Sequence, residues 1–405
     1  MNRAREGSLI GRTAGIMDCR HFDICGGCSL PRMPYEQQLA LKRSRLADVL
    51  GIDVPPLIPS PAISGFRQKV AFVFGAGPRG EGLVMGHYGR GSNRIVAAEE
   101  CPVHSSRGNR IAFALRDHLA QARIGAADAG GVLRHLIVRT SADNREAIAM
   151  LVVSRNDKAL RAPIRRLLAS AERPDGFFLN INAKPGPYMV GRETIRIDGR
   201  GHVRERGAGE GDDGRPVDFL VSPTTFFQTN VGAARELVRL VKDGIGNAAR
   251  VLDLYAGSGL FALPVALAGA TVAAVEENRQ AVDDLKANIR FNRLPDARLR
   301  PICARVEDAL PRVAGDRWDA VVLNPPRSGC AAAVVDGVFR RIKAERAVYV
   351  SCNPEALASD LRAITDSGYA IASIQPVDMF PHTDHIETVI VFSRTRPGTP
   401  QRSHR

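Results

Sequence analysis

VLDLYAGSGLF, residues 251–261, is the stretch on which the fold turns. Val251, Leu252 and Leu254 form a short apolar run. Gly257-Ser258-Gly259 makes a turn, and Leu260-Phe261 opens an Ala/Leu-rich helical stretch. A strand that breaks on a Gly-x-Gly turn and enters a helix is one βα unit. Further strand-like runs follow: TVAAVEEN (271–278), LRPICARV (299–306), WDAVVLNPPR (318–327), RAVYVSCNP (346–354) and ETVIVFSR (387–394). Helical stretches such as QAVDDLKANIRFN (280–292) separate them. Alternation at this spacing predicts an α/β domain with a parallel, doubly wound, Rossmann-like sheet over 221–395. The glycines let a ligand approach the backbone below a helix N-terminus. The second strand ends on Glu276, whose carboxylate can accept both hydroxyls of a ribose. GSGLFA lacks the third glycine of GxGxxG, so the order fits S-adenosylmethionine better than NAD. The bland alternative is a tight βα turn with no ligand.

Upstream the texture differs. Tyr35–Leu50 reads as an amphipathic helix, with Leu39, Leu46 and Leu50 at helical spacing. A proline-rich stretch follows at 53–65. Strand-like runs at 70–75, 83–89, 133–141, 147–155, 177–182 and 193–199 predict a smaller, mainly antiparallel α+β domain over 19–220. Gly-rich, charged 199–216 reads as a loop. Residues 1–18 are expected to be disordered and 396–405 a basic tail. A chain of 405 residues is long for one core, which agrees with two domains.

Formal net charge is +13, which favours a polyanionic partner such as RNA. Aromatics are only 5%, which argues against a pure base-stacking binder. No run approaches the ~18 apolar residues of a membrane span. The first 18 residues lack an apolar signal core, so a cytoplasmic, membrane-free and monomeric protein is expected.

WDAVVLNPPR ends a buried strand where such sheets bind ligands. In amino-group methyltransferases an aromatic usually follows Asn-Pro-Pro, to stack the target base. Here Arg327 follows, which disfavours an exocyclic amine and suits a phosphate or a uracil carbonyl. Carbon 5 of uracil is a poor nucleophile until a thiolate adds at carbon 6. That route needs a cysteine in the pocket, a methyl donor and a base for the carbon-5 proton. Cys352 lies between strand VYV and a helix, where a thiol ionises more easily. It reads equally as a small buried hydrophobe. Cys303 and Cys330 read as packing residues. For the base, Glu387 leads into the last strand, with Asp378, Asp384, His382 and His385 as rivals.

Seven cysteines stand at 19, 25, 28, 101, 303, 330 and 352. The first three, C-x5-C-x2-C, suggest a metal rather than a disulfide framework. With Cys101 they supply four thiolates, which suit zinc or a [4Fe–4S] cluster.

Together FFQTN (226–230), DLYAGSGLFALPVA (253–266), VLNPPRSG (322–329), VSCNP (350–354) and DMFPHTDHIE (378–387) resemble the RNA uracil-5-methyltransferases. These act on 23S ribosomal RNA and transfer RNA. The resemblance implies that Cys352 is the nucleophile and Glu387 the base. It implies that Gln228, Tyr255, Gly257, Gly259, Leu260 and Glu276 line the S-adenosylmethionine site. Asn324 would lie between methyl donor and uracil, where several members carry Asp. The ribosomal branch holds an iron–sulfur cluster on cysteines spaced like Cys19, Cys25, Cys28 and Cys101. The resemblance thus implies a 23S enzyme with a [4Fe–4S] cluster, less readily with zinc. With 18 residues before Cys19, a member without the N-terminal TRAM barrel is expected. The helix around 36–60 would pack on the catalytic domain. A transfer-RNA enzyme, or a non-catalytic RNA-binding assembly factor, is the alternative.

Overall fold

The structure, a computed structural model, describes residues 15–77, 82–184, 189–210, 214 and 216–395. Residues 1–14 and the expected tail at 396–405 lie outside the described residues. Met17, within the stretch expected to be disordered, is instead buried beside Cys19 and Cys28.

Helix α1 (Tyr35–Leu50) comes first. Its end corrects the expectation of a helix to residue 60. Gly51 turns left-handed at φ 67 and stops it, and Pro55 and Pro56 follow. The first sheet holds β1 (Lys69–Ala76), β2 (Leu83–Tyr88), β3 (Ile95–Ala97), β4 (Leu133–Thr140), β5 (Ala147–Val153), β6 (Gly176–Ile181) and β7 (Glu193–Gly199). Their order is β3-β2-β1-β4-β5-β6-β7. All neighbours are antiparallel except β5 and β6. Helices α2 (Ser106–Gln121) and α3 (Arg161–Leu168) cover one face. Ile111, Leu115, Ile164 and Leu167 pack there on Phe72, Leu136 and Leu151.

Residues 199–216 are not a loop throughout. Strands β8 (Val203–Glu210) and β9 (Pro216–Val221) form a hairpin. Val203 packs on the first sheet, beside Ile137 and Phe178. Ala208, Val217, Phe219 and Val221 join the core of the second.

That second sheet holds β10 (Arg250–Leu254), β11 (Thr271–Glu276), β12 (Leu299–Cys303), β13 (Ala320–Leu323), β14 (Arg346–Ser351), β15 (Tyr369–Val377) and β16 (Glu387–Arg394). The order is β12-β11-β10-β13-β14-β16-β15, with β16 antiparallel to both neighbours. Helices α4 (Val231–Ile245), α5 (Ala262–Leu267), α6 (Arg279–Phe291), α7 (Val306–Val313), α8 (Ala332–Val335) and α9 (Pro354–Thr365) flank it. Both faces are covered, so its central strands are mostly apolar on both sides. Val251, Val322 and Val348 enter one core, Leu252, Val321 and Tyr349 the other. From β10 the chain winds through β11 and β12, then crosses to β13 on the other side. The reversal leaves a crevice at the carboxyl ends of β10 and β13. Among the described residues no helix is long and apolar enough to cross a membrane.

Helix α1 precedes the first sheet in sequence but docks on the second. Leu46 packs with Val54, Leu57 and Ile386. Lys42 Nζ reaches Asp378 Oδ1 at 2.6 Å, and both side chains are at most 1% exposed. Nζ also donates to the Phe380 carbonyl, and the Tyr35 hydroxyl donates to Asp378 Oδ2 at 2.8 Å. Burial pulls the Lys42 amine below its ordinary value, and Asp378 opposes this. Removing one member of such a pair strands the other charge. Lys42→Met should therefore cost about 3–5 kcal/mol of unfolding free energy in urea titrations. Lys42→Met with Asp378→Leu should recover most of that loss.

Candidate active site and cysteine pocket

Four strand ends meet at one edge of the second sheet. Strands β10, β13 and β14 deliver their carboxyl ends there. Strand β16 runs the other way and delivers its first residue. Ser351 pairs with Thr388. Carried one residue further, this register sets Cys352 opposite Glu387. Glu387 also pairs with Val377 of β15 and is only 4% exposed.

The turn at Cys352 is built by its neighbours. Ser351 Oγ donates to the Asn353 carbonyl, and Asn353 Oδ1 accepts from the Glu355 amide to cap α9. Pro354 opens the helix. Asn353 Nδ2 donates to the Arg327 carbonyl at 2.8 Å and ties this turn to the Asn-Pro-Pro-Arg loop. Asn324, half-buried at the end of β13, donates its amide to the Leu254 carbonyl at 3.3 Å. Beneath the loop, the Tyr349 hydroxyl and the Cys330 amide both donate to Asp360 of α9. Cys330 is half-buried, as a packing residue should be, but Cys303 is exposed at the edge of β12.

Burial pushes Glu387 up to about 8, against the pull of Arg327. Burial and the Glu387 charge push Cys352 up to about 11, again opposed by Arg327. The expectation of an easily ionised thiol is therefore corrected: desolvation outweighs the helix N-terminus. Both groups hold their protons more tightly than usual, and both feel the charge of Arg327.

The turn after β10 has Tyr255 at φ 63, Gly257 at φ 57 and Gly259 at φ 94. A Cβ on Gly259 would meet Leu285 Cδ1 at 2.5 Å, while Gly257 faces open space. Glu276 ends β11 beside this turn. Its carboxylate accepts from the Gly257 amide at 2.9 Å and the Asn278 amide at 2.7 Å. Leu260 is buried in the core rather than open at the surface. Gln228 is 5% exposed, and its Oε1 has no hydrogen-bond partner among the described residues. A buried acceptor without a donor and a glycine, Gly257, facing open space fit a polar nucleoside-like ligand. Asp253, under the turn, is pushed up to about 8 by burial.

Sequence reasoning missed three residues around FFQTN. Phe226 stands 67% exposed. Below it, Arg139 Nη2 donates to the Thr225 carbonyl, and Lys69 lies opposite Arg139 in the β1–β4 register. Burial and Arg139 pull the Lys69 amine down to about 8, and it has no ion-pair partner among the described residues. Single cations in strands gave no signal, because only the register pairs them.

The rival base candidates are structural. Asp378 pairs with Lys42. His382 contacts the Ile63 carbonyl and Gln38, and His385 packs edge-on against Phe380. Asp384 bonds Ser29 and Arg45.

Cys19, Cys25, Cys28 and Cys101 line one small cavity of about 30 Å³. Burial pushes Cys28 up to about 11 and Cys101 up to about 12. As thiolates they need a cation, so the donor set fits a metal centre. Arg67 Nε, His87 Nε2 and His104 Nδ1 are also buried there without partners among the described residues. The donor atoms of His87, Cys101 and His104 lie within 4.8 Å of one another. Both histidines escaped the sequence reading, since each stands apart from the cysteine motif.

Residues 213–395 match the family described as tRNA (Uracil-5-)-methyltransferase. An uncharacterized RNA methyltransferase of Thermosynechococcus vestitus is 34% identical over 93% of this chain and 84% of that protein. The chain belongs to the RNA uracil-5-methyltransferase family. A second such relative, from Gloeobacter violaceus, is 32% identical over 93% of this chain and 82% of its own length. Among solved structures, the Pyrococcus abyssi tRNA (uracil-54, C5)-methyltransferase in complex with S-adenosyl-L-homocysteine superposes with a TM-score of 0.76. It is 29% identical, over 90% of this chain and 85% of that one. The uracil-5-methyltransferase fold thus extends over both sheets of this family member.

A buried acid carries a stability cost with a definite sign. The folded carboxyl of Glu387 stands near 8, above its ordinary 4.5. Its ionisation in the unfolded chain therefore opposes folding increasingly from about pH 4 to pH 8. Glu387→Gln should raise the melting temperature by several degrees at pH 8 and hardly at all at pH 4.5. Equal shifts at both values would count against a neutral, buried carboxyl.

Proposed function

We propose that this protein transfers a methyl group from S-adenosylmethionine to carbon 5 of a uridine in 23S ribosomal RNA, through a covalent Cys352 adduct. The reading is carried by the β14–β16 register, which ends at Ser351 and Thr388 with Cys352 and the buried Glu387 next on each strand, and by the electrostatic interaction between those two groups. Cys352 gives its proton to solvent, with Arg327 offsetting the cost, and adds as thiolate to carbon 6, so that the ring becomes an enolate nucleophilic at carbon 5. The Gly257–Leu260 turn, with Gln228, Tyr255, Glu276 and Asn324, would hold S-adenosylmethionine, which would supply the methyl group to carbon 5 and leave as S-adenosylhomocysteine. Glu387 then takes the carbon-5 proton. The C–H electron pair reforms the ring double bond, and the thiolate leaves. Arg327 favours both anions, the thiolate and the carboxylate, as their proximity to it indicates. The amide of Asn324 can donate to the uracil carbonyl at position 4, which a carboxylate cannot do. Phe226, two residues before Gln228 and 67% exposed, offers a stacking face to a base, and Lys69 a positive charge.

The ribosomal substrate rests on the four-cysteine pocket, which we read as a [4Fe–4S] site of structural role. The trio of ligating atoms within 4.8 Å is two histidines and one cysteine, not a set of cysteine sulfurs. Tetrahedral zinc with Zn–S bonds of about 2.3 Å would need sulfurs roughly 3.8 Å apart. Zinc on His87, Cys101 and His104 is the second reading, favoured by that same trio. Transfer RNA is the second substrate reading, favoured by the name of the Pyrococcus abyssi enzyme.

The deciding experiment is tritium release from [5-³H]uridine RNA with S-adenosylmethionine, comparing 23S fragments with transfer RNA. Release from a 23S fragment alone is expected, and release from transfer RNA alone would move the substrate. Cys352→Ala should lose release entirely. Glu387→Gln should slow it at least about a hundredfold and accumulate a gel-stable RNA adduct. No release from either RNA by the wild type would point to a non-catalytic RNA-binding factor or to an assembled particle as the substrate.

The metal reading is tested on purified protein. Wild type should absorb near 400 nm and carry iron and sulfide, and Cys25→Ser should bleach. A colourless, zinc-loaded wild type would replace the cluster with zinc.

A further inference from the structure

Two acids outside the reacting set stand at matching distances from the catalytic pair. Glu355 lies three residues after Cys352, in the first turn of α9. Asp384 lies three residues before Glu387. Arg45, on α1, holds both. Its Nη1 donates to Asp384 Oδ2 at 3.1 Å and its Nη2 to Glu355 Oε1 at 2.9 Å. Asp384 has a second anchor in the cysteine loop. Ser29, next to Cys28, donates its hydroxyl to Asp384 Oδ1 at 2.6 Å and accepts from the Asp384 amide at 2.9 Å.

The two catalytic groups depend on these contacts unequally. The Cys352 turn is fixed locally, by Ser351, by the Asn353 cap and by the bond from Asn353 to Arg327. Glu387 follows a segment with a left-handed residue, His382 at φ 67. That segment is anchored by Lys42 at Asp378 and by the Leu30 amide at the His382 carbonyl. Between His382 and β16, its polar anchors to other elements gather on Asp384.

We propose that Arg45 and Asp384 are positioning residues that set Glu387 against the adduct, governing removal of the carbon-5 proton rather than addition of the thiol. The inference rests on the reaction proposed above. In the affected step the Glu387 carboxylate accepts the proton, the C–H pair becomes the ring double bond, and the C–S pair returns to Cys352. No oxidant or further reactant enters. Arg45 and Asp384 act through the backbone before Glu387 and touch no reacting atom.

The experiment compares wild type, Arg45→Met, Asp384→Asn and Arg45→Lys. The probes are 23S and transfer-RNA transcripts made with either uridine or 5-fluorouridine, plus S-adenosylmethionine. Fluorine at carbon 5 blocks proton removal, so the adduct on that RNA reports only the earlier steps. All variants should form it at the wild-type rate. On ordinary RNA, turnover should fall roughly three- to tenfold in Arg45→Met and Asp384→Asn, as loss of half-exposed ion pairs allows. Gel-stable adduct should build up in both. Arg45→Lys, which keeps the charge, should recover part of the rate. Equal loss of adduct formation and turnover, or no loss of either, overturns the positioning role and leaves the reaction standing. Failure of the wild type to form the fluorinated adduct on either RNA overturns the reaction, and the positioning role with it.

Discussion

The site depends on the direction of one strand. Strand β16 runs against β14, so its first residue arrives at the edge where the parallel strands finish. A parallel last strand would carry Glu387 to the opposite edge, a full strand length from Cys352. The antiparallel insertion also fixes which residues face each other. A slip of one residue would turn Glu387 to the other face of the sheet. Apolar residues on both faces of β14 and β16, among them Val348, Tyr349, Ile390 and Val391, oppose that slip.

Around this constraint the rest of the chain supplies support. Helix α1 reaches the segment before Glu387 through a fully buried ion pair and a half-exposed arginine. The cysteine loop reaches it through Ser29 and Leu30. The FFQTN segment bridges the two sheets. The Gln68 amide donates to the Thr229 carbonyl, and Asn230 Nδ2 donates to Met379. The cost of this arrangement is carried by the polar groups. Burial raises both Glu387 and Cys352 above their ordinary values, so each costs free energy to ionise, and Arg327 offsets part of that cost for both.

Much of this was legible in the sequence, for identifiable reasons. The second sheet declared itself through apolar runs separated by helical periods, because both its faces are buried. Tyr35–Leu50 matched its helix, since Gly51 marks the end. The hairpin at 203–221 was hidden because Gly207 and Gly209 and its charges mimic loop composition, and a register shift between Glu205 and Gly209 spoils the alternation. Three-residue β3 is too short to show any period. The thiol's raised titration could not be read at all, since it depends on desolvation and on a carboxylate 35 residues away in sequence. His87 and His104 gained meaning only when packing against Phe72 brought them together beside Cys101.

Lys42 and Asp378 are separated by 336 positions, and Ser29 and Asp384 by 355. A ribosome therefore releases nearly the whole chain before the first helix can find its partner. Until then α1 exposes Leu46 and an uncompensated Lys42, while the first sheet already has the local contacts it needs. Contacts so distant in sequence are slow to close, because the loop between them must first be ordered. A chain cut short by its last thirty residues would lack β16 and Glu387 with it, keep Cys352, and leave β14 without its antiparallel neighbour.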